Sequence, residues 1–209
     1  MRARVQPLGL EHPARRPPRI LPAAAAPSRK DGEELACMLR ARIAGEVRFS
    51  AGDRGLYADD ASNYRFPPLG VVIPQTTDDI VETIAACRAF GAPVVFRGGG
   101  TGLAGQTVNA AVVIDVSKYL RAVLEIDPAR RRARVQPGTV LDALRSAAAQ
   151  HGLTFGPDPA THGWNTLGGM IANNSCGSHS VQAEFYGPGA RTSDNLISLE
   201  VLTYRGVRL

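Results

Sequence analysis

The chain has little cysteine, little histidine and no long apolar run, and each shortage excludes a class of chemistry. Its three cysteines, Cys37, Cys87 and Cys176, are odd in number and far apart. Neither a disulfide framework nor a C-x-x-C metal knuckle is therefore expected. Cys37 and Cys87 fall in helical patterns and read as small side chains in or near the core. Cys176-x-x-His179 offers two metal ligands without a second pair, too few for a closed site. His12, His151 and His162 show no i, i+4 pairing and read as surface or hydrogen-bonded side chains. No apolar stretch approaches the ~20 residues that a membrane-spanning helix needs. A signal-peptide core is also lacking, so the expected location is the cytoplasm.

Acidic residues are scarce only at one end. The net charge of +5 looks like a nucleic-acid signal until its distribution is read. Residues 1–30 hold seven Lys/Arg against Glu11 alone, whereas the rest holds 17 basic and 18 acidic residues. A charged nucleic-acid face on the folded part is not expected. The first 30 residues also carry six prolines and the run Ala23-Ala24-Ala25-Ala26, a composition expected to stay disordered. Their Arg-rich, acid-poor character is shared with organellar transit peptides, but the prolines would break the amphipathic helix such peptides use.

What remains, 179 residues beyond position 30, suffices for a sizeable core. Residues 31–45 predict a helix with an acidic start and late arginines, and 46–69 read as loop. Val71-Val72-Ile73 is a short strand. A helix follows over 77–90, with Thr77 as its cap, and Gly91 closes it. Ala92-Pro93-Val94-Val95-Phe96 is a buried strand. Strand, helix and strand make a βαβ unit with parallel strands. Strands are expected at 112–116, 122–126 and 132–136, with Arg130-Arg131-Arg132 as a solvated hairpin turn. A helix is predicted over 140–151, a strand over 196–204 and a turn at Arg205-Gly206. The fold class is α+β, a small βαβ lobe beside a larger mixed lobe. The chain divides into the tail 1–30, a helix with lead-in loop over 31–66, and one domain over 67–209.

Two glycine-rich stretches carry the chemistry. The first is Arg97-Gly98-Gly99-Gly100-Thr101-Gly102-Leu103-Ala104-Gly105-Gln106, directly after a strand. Glycine lets another group approach the backbone, and a loop of exposed N–H groups suits a phosphate or pyrophosphate. Gly100-x-Gly102-x-x-Gly105 matches the dinucleotide fingerprint, but that fingerprint needs the glycines to open a helix. Only Gln106 to Ala111 separate this loop from the next apolar run, too few for a crossover helix. No Gly-Lys-Ser/Thr follows, so a Walker loop is excluded as well. A tight connection with no ligand stays open as an alternative.

The second stretch is Leu167-Gly168-Gly169-Met170-Ile171-Ala172-Asn173-Asn174-Ser175-Cys176-Gly177, preceded by the rigid turn Gly156-Pro157-Asp158-Pro159. It reads as a loop whose paired glycines admit a ligand and whose Asn and Ser side chains supply donors and acceptors. An ordinary Asn/Ser/Gly turn cluster is the blander alternative. Two such loops fit a shared, extended ligand such as a dinucleotide.

Together these motifs resemble the FAD-binding domain of the vanillyl-alcohol oxidase/PCMH superfamily. Within it the chain is most similar to the D-lactate, glycolate and D-2-hydroxyglutarate dehydrogenase branch, in particular its bacterial subgroup with an additional C-terminal iron–sulfur region. Tyr57-x-x-Asp60-x-Ser62-x-Tyr64-Arg65, Tyr186-Gly187, Asp194-Asn195 and Leu199-Glu200-Val201 suit that pattern. The resemblance implies that Arg97, Gly98, Gly99, Gly100, Thr101, Gly102 and Leu103 form a pyrophosphate loop, with Gln106 in reach of the cofactor. It implies that Pro157, Asp158, Gly168, Gly169, Asn173, Asn174, Ser175 and Gly177 flank the flavin and its ribityl–phosphate chain. Family members that attach FAD covalently often place a His at the first loop. Residues 97–106 have none, so non-covalent FAD is implied.

Family members continue into a substrate domain that supplies the hydroxy-acid-binding arginine, metal-ligating histidines and the catalytic base. The 209 residues are therefore expected to be an N-terminal fragment or one piece of a split protein, inactive alone and incomplete at the C-terminus of the FAD domain. No catalytic residue and no metal ligand is assigned within them. An iron–sulfur cluster would belong to the absent C-terminal region. The implied activity is oxidation of a D-2-hydroxy acid. A non-catalytic nucleotide-binding fragment, or a sugar-nucleotide or alditol oxidoreductase of the same superfamily, are the alternatives. Neither the electron acceptor nor the oligomeric state can be read from the residues.

Overall fold

Val112-Val113-Ile114-Asp115 forms the central strand of a four-stranded sheet in the computed structural model, which describes residues 29–178, 180, 182, 185 and 188–209. Most of the predicted tail, His12, His179 and the Tyr186-Gly187 pair lie outside the described residues. The elements run α1 (Arg29–Arg42), β1 (Glu46–Arg48), α2 (Ala51–Leu56), β2 (Gly70–Ile73), α3 (Thr77–Ala89), β3 (Val94–Arg97), β4 (Val112–Asp115), β5 (Val123–Asp127), β6 (Arg132–Val135), α4 (Leu141–Ala149) and α5 (Leu167–Asn173), then a 3-10 turn, Ser193–Asn195.

The sheet order is β1-β2-β4-β3. β2 and β3 both run parallel to β4, so the βαβ unit is parallel as expected, but β4 lies between its two strands. β2 and β4 are buried throughout, which requires the continuous apolar runs these segments have. Val72 and Val112 face Leu35, Leu39 and Cys87 of α1 and α3, whereas Val71, Ile73 and Val113 pack on the opposite face with Tyr57. β3 differs from its reading as a buried strand: it is an edge among the described residues, with Phe96 44 % exposed.

Several predicted boundaries shift for local reasons. α1 stops at Arg42 because the chain must turn onto β2, where a side chain at Gly45 would lie 2.5 Å from the Ile73 carbonyl oxygen. The stretch 46–69 is not all loop. β1 exists by pairing antiparallel with β2, and α2 begins at a Ser50 side chain that accepts from the Asp53 N–H. The cap of α3 is Thr76 rather than Thr77, in a reciprocal capping box with Asp79. Thr76→Ala is expected to lower stability by about 1 kcal/mol, read as a shift in the urea midpoint with unchanged slope. Cys87 is buried, and desolvation pushes its thiol up to about 12. Cys37 is exposed, contrary to its core reading.

β1 is pinned to the loop after β4. Glu46 accepts from the Tyr119 hydroxyl at 2.7 Å and forms ion pairs with Lys118 and Arg48. Lys118, then Tyr119 and Arg48, hold its carboxyl down at about 2. A carboxyl depressed by folding stabilises the fold above its ordinary value of 4.5, and that contribution is lost as pH falls toward 2. Glu46→Gln is expected to flatten the acid limb of a urea-midpoint profile over this window. The wild-type advantage should shrink in high salt, since the cluster is partly solvated. A wild-type advantage independent of pH would contradict the assignment.

In the second lobe, α4 and α5 cover the two-stranded ladder β5–β6, with Leu141, Leu144, Leu167 and Met170 as its core. The expected hairpin turn is present but falls at residues 128–131, with Arg131 at φ 54°; Arg132 is already in β6, paired with Asp127. The predicted strand 196–204 reduces to a bridge between Leu202 and Arg208, because pattern alone supplies no partner. The turn at Arg205-Gly206 is present, with Gly206 at φ 83°.

Candidate cofactor site

β3 ends at Arg97, and residues 98–111 then run without regular structure until β4 begins parallel to it. Parallel neighbours need a crossover of a dozen or more residues, usually a helix. Here the glycine loop itself is the crossover. It leaves the carboxyl end of its strand, where open α/β sheets place ligands.

Three contacts explain the triple glycine. A Cβ on Gly98 would lie 2.0 Å from Thr166 Oγ1, and one on Gly99 would lie 2.2 Å from the Trp164 carbonyl oxygen. Gly100 adopts φ 64°, with the Arg97 guanidinium 2.6 Å from its Cβ position. The loop therefore rests directly on residues 164–166. Beneath it, Arg97 stacks over the Tyr57 ring and donates to the Asp59 carbonyl at 2.6 Å. Tyr57 in turn donates to Asp115 at 2.7 Å, and burial followed by this bond raises its phenol above the ordinary range. The Ala61 N–H donates to the Gly100 carbonyl at 3.0 Å, and Thr107 donates to Asp60 at 2.9 Å. Burial alone would raise the Asp60 carboxyl, but hydrogen bonds from Ser62 and Thr107 outweigh it and hold it low.

What this scaffold leaves free is the upper surface. Among the described residues, no N–H group from Gly98 to Leu103 donates to a protein acceptor; the series resumes with Ala104, which donates to Gln106 Oε1 at 3.1 Å. Backbone donors normally find a partner. Six in succession along one loop lack a protein acceptor here.

The second stretch is a helix, not the loop expected from its composition. Thr166 caps it through the Gly169 N–H, Leu167 and Met170 are buried, and Asn174 ends it at φ 46°. Tertiary burial of two apolar residues overrides the turn preference of Gly, Asn and Ser. The paired glycines differ. A Cβ on Gly168 would press on Pro137 at 2.9 Å, whereas one on Gly169 would meet only Thr166 Oγ1 at 3.4 Å.

Loop and helix face each other across a cleft of about 270 Å³. Gly98, Gly99, Gly100, Thr101, Gly102, Leu103 and Gln106 line one side; Gly169, Asn173 and Ser175 line the other. Gln106 Nε2 donates to Asn173 Oδ1 at 3.0 Å, and Asn173 Nδ2 donates to the Gly169 carbonyl at 3.0 Å, so an amide chain spans the two. Among the described residues, no charged side chain lines the cleft.

The other predicted residues stand outside the lining. Arg97 supports the loop from below, Gly168 packs on Pro137, and Asn174 accepts from the Ser193 N–H at 2.9 Å. The Arg145 fork donates to the carbonyls of Phe155 and Pro157 and to the Asp158 carboxylate at 2.8 Å. Gly177 lies so close to the Asp158 carbonyl that no Cβ would fit, 1.7 Å away. Sequence reading missed Thr107, Thr161, Asn165, Thr166 and Met170, which also line the cleft. Thr166 was findable: a threonine before Leu167 is a helix-cap signal. Among the described residues, no group of three or more His, Cys, Asp or Glu is placed to hold a metal ion, and no helix is long and apolar enough to cross a membrane.

The glycine crossover loop and the capped helix facing it lie in a fold that matches PCMH-type FAD-binding domains. The chain belongs to the FAD binding domain family, whose pattern spans residues 68–209. It is 37 % identical over 153 residues to the glycolate oxidase subunit GlcD of Escherichia coli (strain K12), a match covering 72 % of this chain and 29 % of that protein. It is 34 % identical over 187 residues to the D-2-hydroxyglutarate dehydrogenase of Pseudomonas putida (strain KT2440), covering 88 % of this chain and 18 % of that protein. Among solved structures, an alkyldihydroxyacetonephosphate synthase superposes with a TM-score of 0.72 at 21 % identity, over 85 % of this chain and 38 % of the other. p-Cresol methylhydroxylase superposes at 0.67 and 15 % identity, over 87 % of this chain and 35 % of the other. These last two likenesses concern the fold alone. The chain thus spans less than a third of the length of these two curated relatives.

Proposed function

We propose that this chain binds FAD non-covalently and is the cofactor-holding part of a flavin-dependent oxidoreductase acting on a D-2-hydroxy acid of the glycolate, D-lactate or D-2-hydroxyglutarate type. The observation that carries the proposal is the run of six unpartnered N–H groups, Gly98 to Leu103, facing α5 across an uncharged cleft. The residues fit the group. A pyrophosphate needs free donors and no neighbouring carboxylate; the unpartnered N–H groups and the lack of Asp or Glu among the described lining residues support this reading. Gly169 leaves room for close approach on the facing wall. Asn173 and Ser175 are assigned to the more distal part of the cofactor. Arg97, Pro157, Asp158, Gly168, Asn174 and Gly177 are assigned a supporting role, holding these surfaces in place.

Bound FAD supplies the two-electron chemistry, while the residues of this chain hold and orient it. No catalytic base is assigned among them. The proposed compartment is the cytoplasm, a reading from the sequence.

The test is anaerobic mixing of the purified flavoprotein that carries this chain with glycolate and with each enantiomer of lactate and 2-hydroxyglutarate. Bleaching of the visible flavin band by glycolate or a D-enantiomer, with the L-enantiomers inert, is the expected result. A flavoprotein bleached by none of them would overturn the substrate assignment.

A further inference from the structure

Trp164 is the chain's sole tryptophan, and it is 76 % exposed. Its backbone is nevertheless fixed. The Trp164 N–H donates to the Thr161 carbonyl at 2.8 Å, the Asn165 N–H donates to the same oxygen at 2.9 Å, and the Trp164 carbonyl sits where a Gly99 side chain would be. Thr161 and Asn165 line the cleft and the Trp164 backbone touches Gly99, so the indole is anchored beside the cleft, outside its lining and within side-chain reach of the glycine loop. On the loop side Leu103 also lines the cleft and is 77 % exposed. Single exposed apolar residues are ordinary. An exposed indole on an immobilised backbone, flanked in sequence by the cleft-lining Thr161, Asn165 and Thr166 and set against Gly99, is not a scattered one.

We propose that Trp164 is a stacking platform for a planar heteroaromatic ring of the cofactor, an assignment that rests on the FAD reading above. Indole offers a broad π-face that stacks on heteroaromatic rings, and aromatic stacking is tolerant of which ring is presented. Because the backbone is already held, stacking immobilises only the side-chain torsions, which keeps the entropic cost of binding low. The platform complements the loop, which grips the phosphates but offers nothing to a ring.

The experiment titrates the apo form of the flavoprotein that carries this chain with FAD, FMN and ADP. Binding is measured by equilibrium dialysis and, separately, by the part of the tryptophan emission that Trp164→Phe removes. The expected result is quenching by FAD, with FMN quenching marking the flavin ring or ADP quenching marking the adenine; either supports the platform. Energy transfer also quenches at longer range, so the affinities of variants decide. Trp164→Ala is expected to weaken FAD binding about 10-fold or more, while Trp164→Phe stays close to wild type; thermal melts show whether both remain folded. FAD bound with equal affinity by wild type and Trp164→Ala overturns the platform. A folded chain that binds no FAD in dialysis overturns the FAD reading and the platform with it.

Discussion

Gly99→Val is expected to cost the chain both its loop and its cofactor. The Cβ it introduces would lie 2.2 Å from the carbonyl oxygen of Trp164, a backbone atom with no rotamer to escape into. Either the loop lifts off residues 164–166 or that segment moves, and the segment carries the Thr166 cap of α5. Overpacking of this kind costs roughly 1–3 kcal/mol, which for a domain of this size lowers Tm by roughly 2–12 °C. FAD retention should fall below detection at micromolar protein, because the loop that carries the Gly98 to Leu103 donors is displaced from the cleft. Thermal melts with and without FAD check both halves. A variant with wild-type Tm and full flavin content would show that the loop does not rest on Trp164.

Gly169→Val is expected to abolish FAD retention as well, for the opposite reason. Its Cβ meets only Thr166 Oγ1, at 3.4 Å, so the protein has room for it. Helix propensity also favours valine over glycine by a few tenths of a kcal/mol. The unliganded fold should therefore melt within about 2 °C of wild type, while the added methyl groups occupy space on the cleft wall that the ligand needs. The expected loss of FAD affinity is on the order of 100-fold, about 2.7 kcal/mol. The pair of variants separates two uses of glycine: Gly99 for the protein's packing on itself, Gly169 for access from outside. If Gly169→Val lost stability as Gly99→Val does, Gly169 would be a packing glycine and the cleft would lie elsewhere.

How much of this was legible depends on whether the signal was local. The apolar runs at 71–73 and 112–114 gave themselves away as strands because they are buried on both faces, and the missing helix after Gly105 separated this loop from a dinucleotide fingerprint. The position of β4 between β2 and β3 was not legible, since nothing in a strand's own residues says which neighbour it will take. β1 was invisible for the same reason: Glu46-Val47-Arg48 has no apolar alternation and is a strand only because β2 pairs with it. α5 was misread as a loop because its Gly and Asn content speaks for a turn, and the burial that makes it a helix comes from α4 and the β5–β6 ladder. Of the site, the glycines and Gln106 could be picked from sequence. Thr161 and Asn165 could not, because only the packing of Gly98 and Gly99 brings their segment to the cleft.

The distinction between Arg97 and its glycines also needed coordinates. As the first residue of the motif, Arg97 looks like a cation for a phosphate, yet its guanidinium points under the loop to Asp59 and Tyr57. Among the described residues no charged side chain lines the cleft, so under the proposed reading recognition of the anion falls to the backbone.

That assignment can be put to the amides themselves. Two-dimensional ¹⁵N–¹H NMR of the chain, recorded with and without FAD, should show the resonances of Gly98 to Leu103 moving together as their N–H groups take up phosphate oxygens, with Gly169 moving alongside. FAD binding that leaves these amides in place and shifts others would contradict the account at its centre.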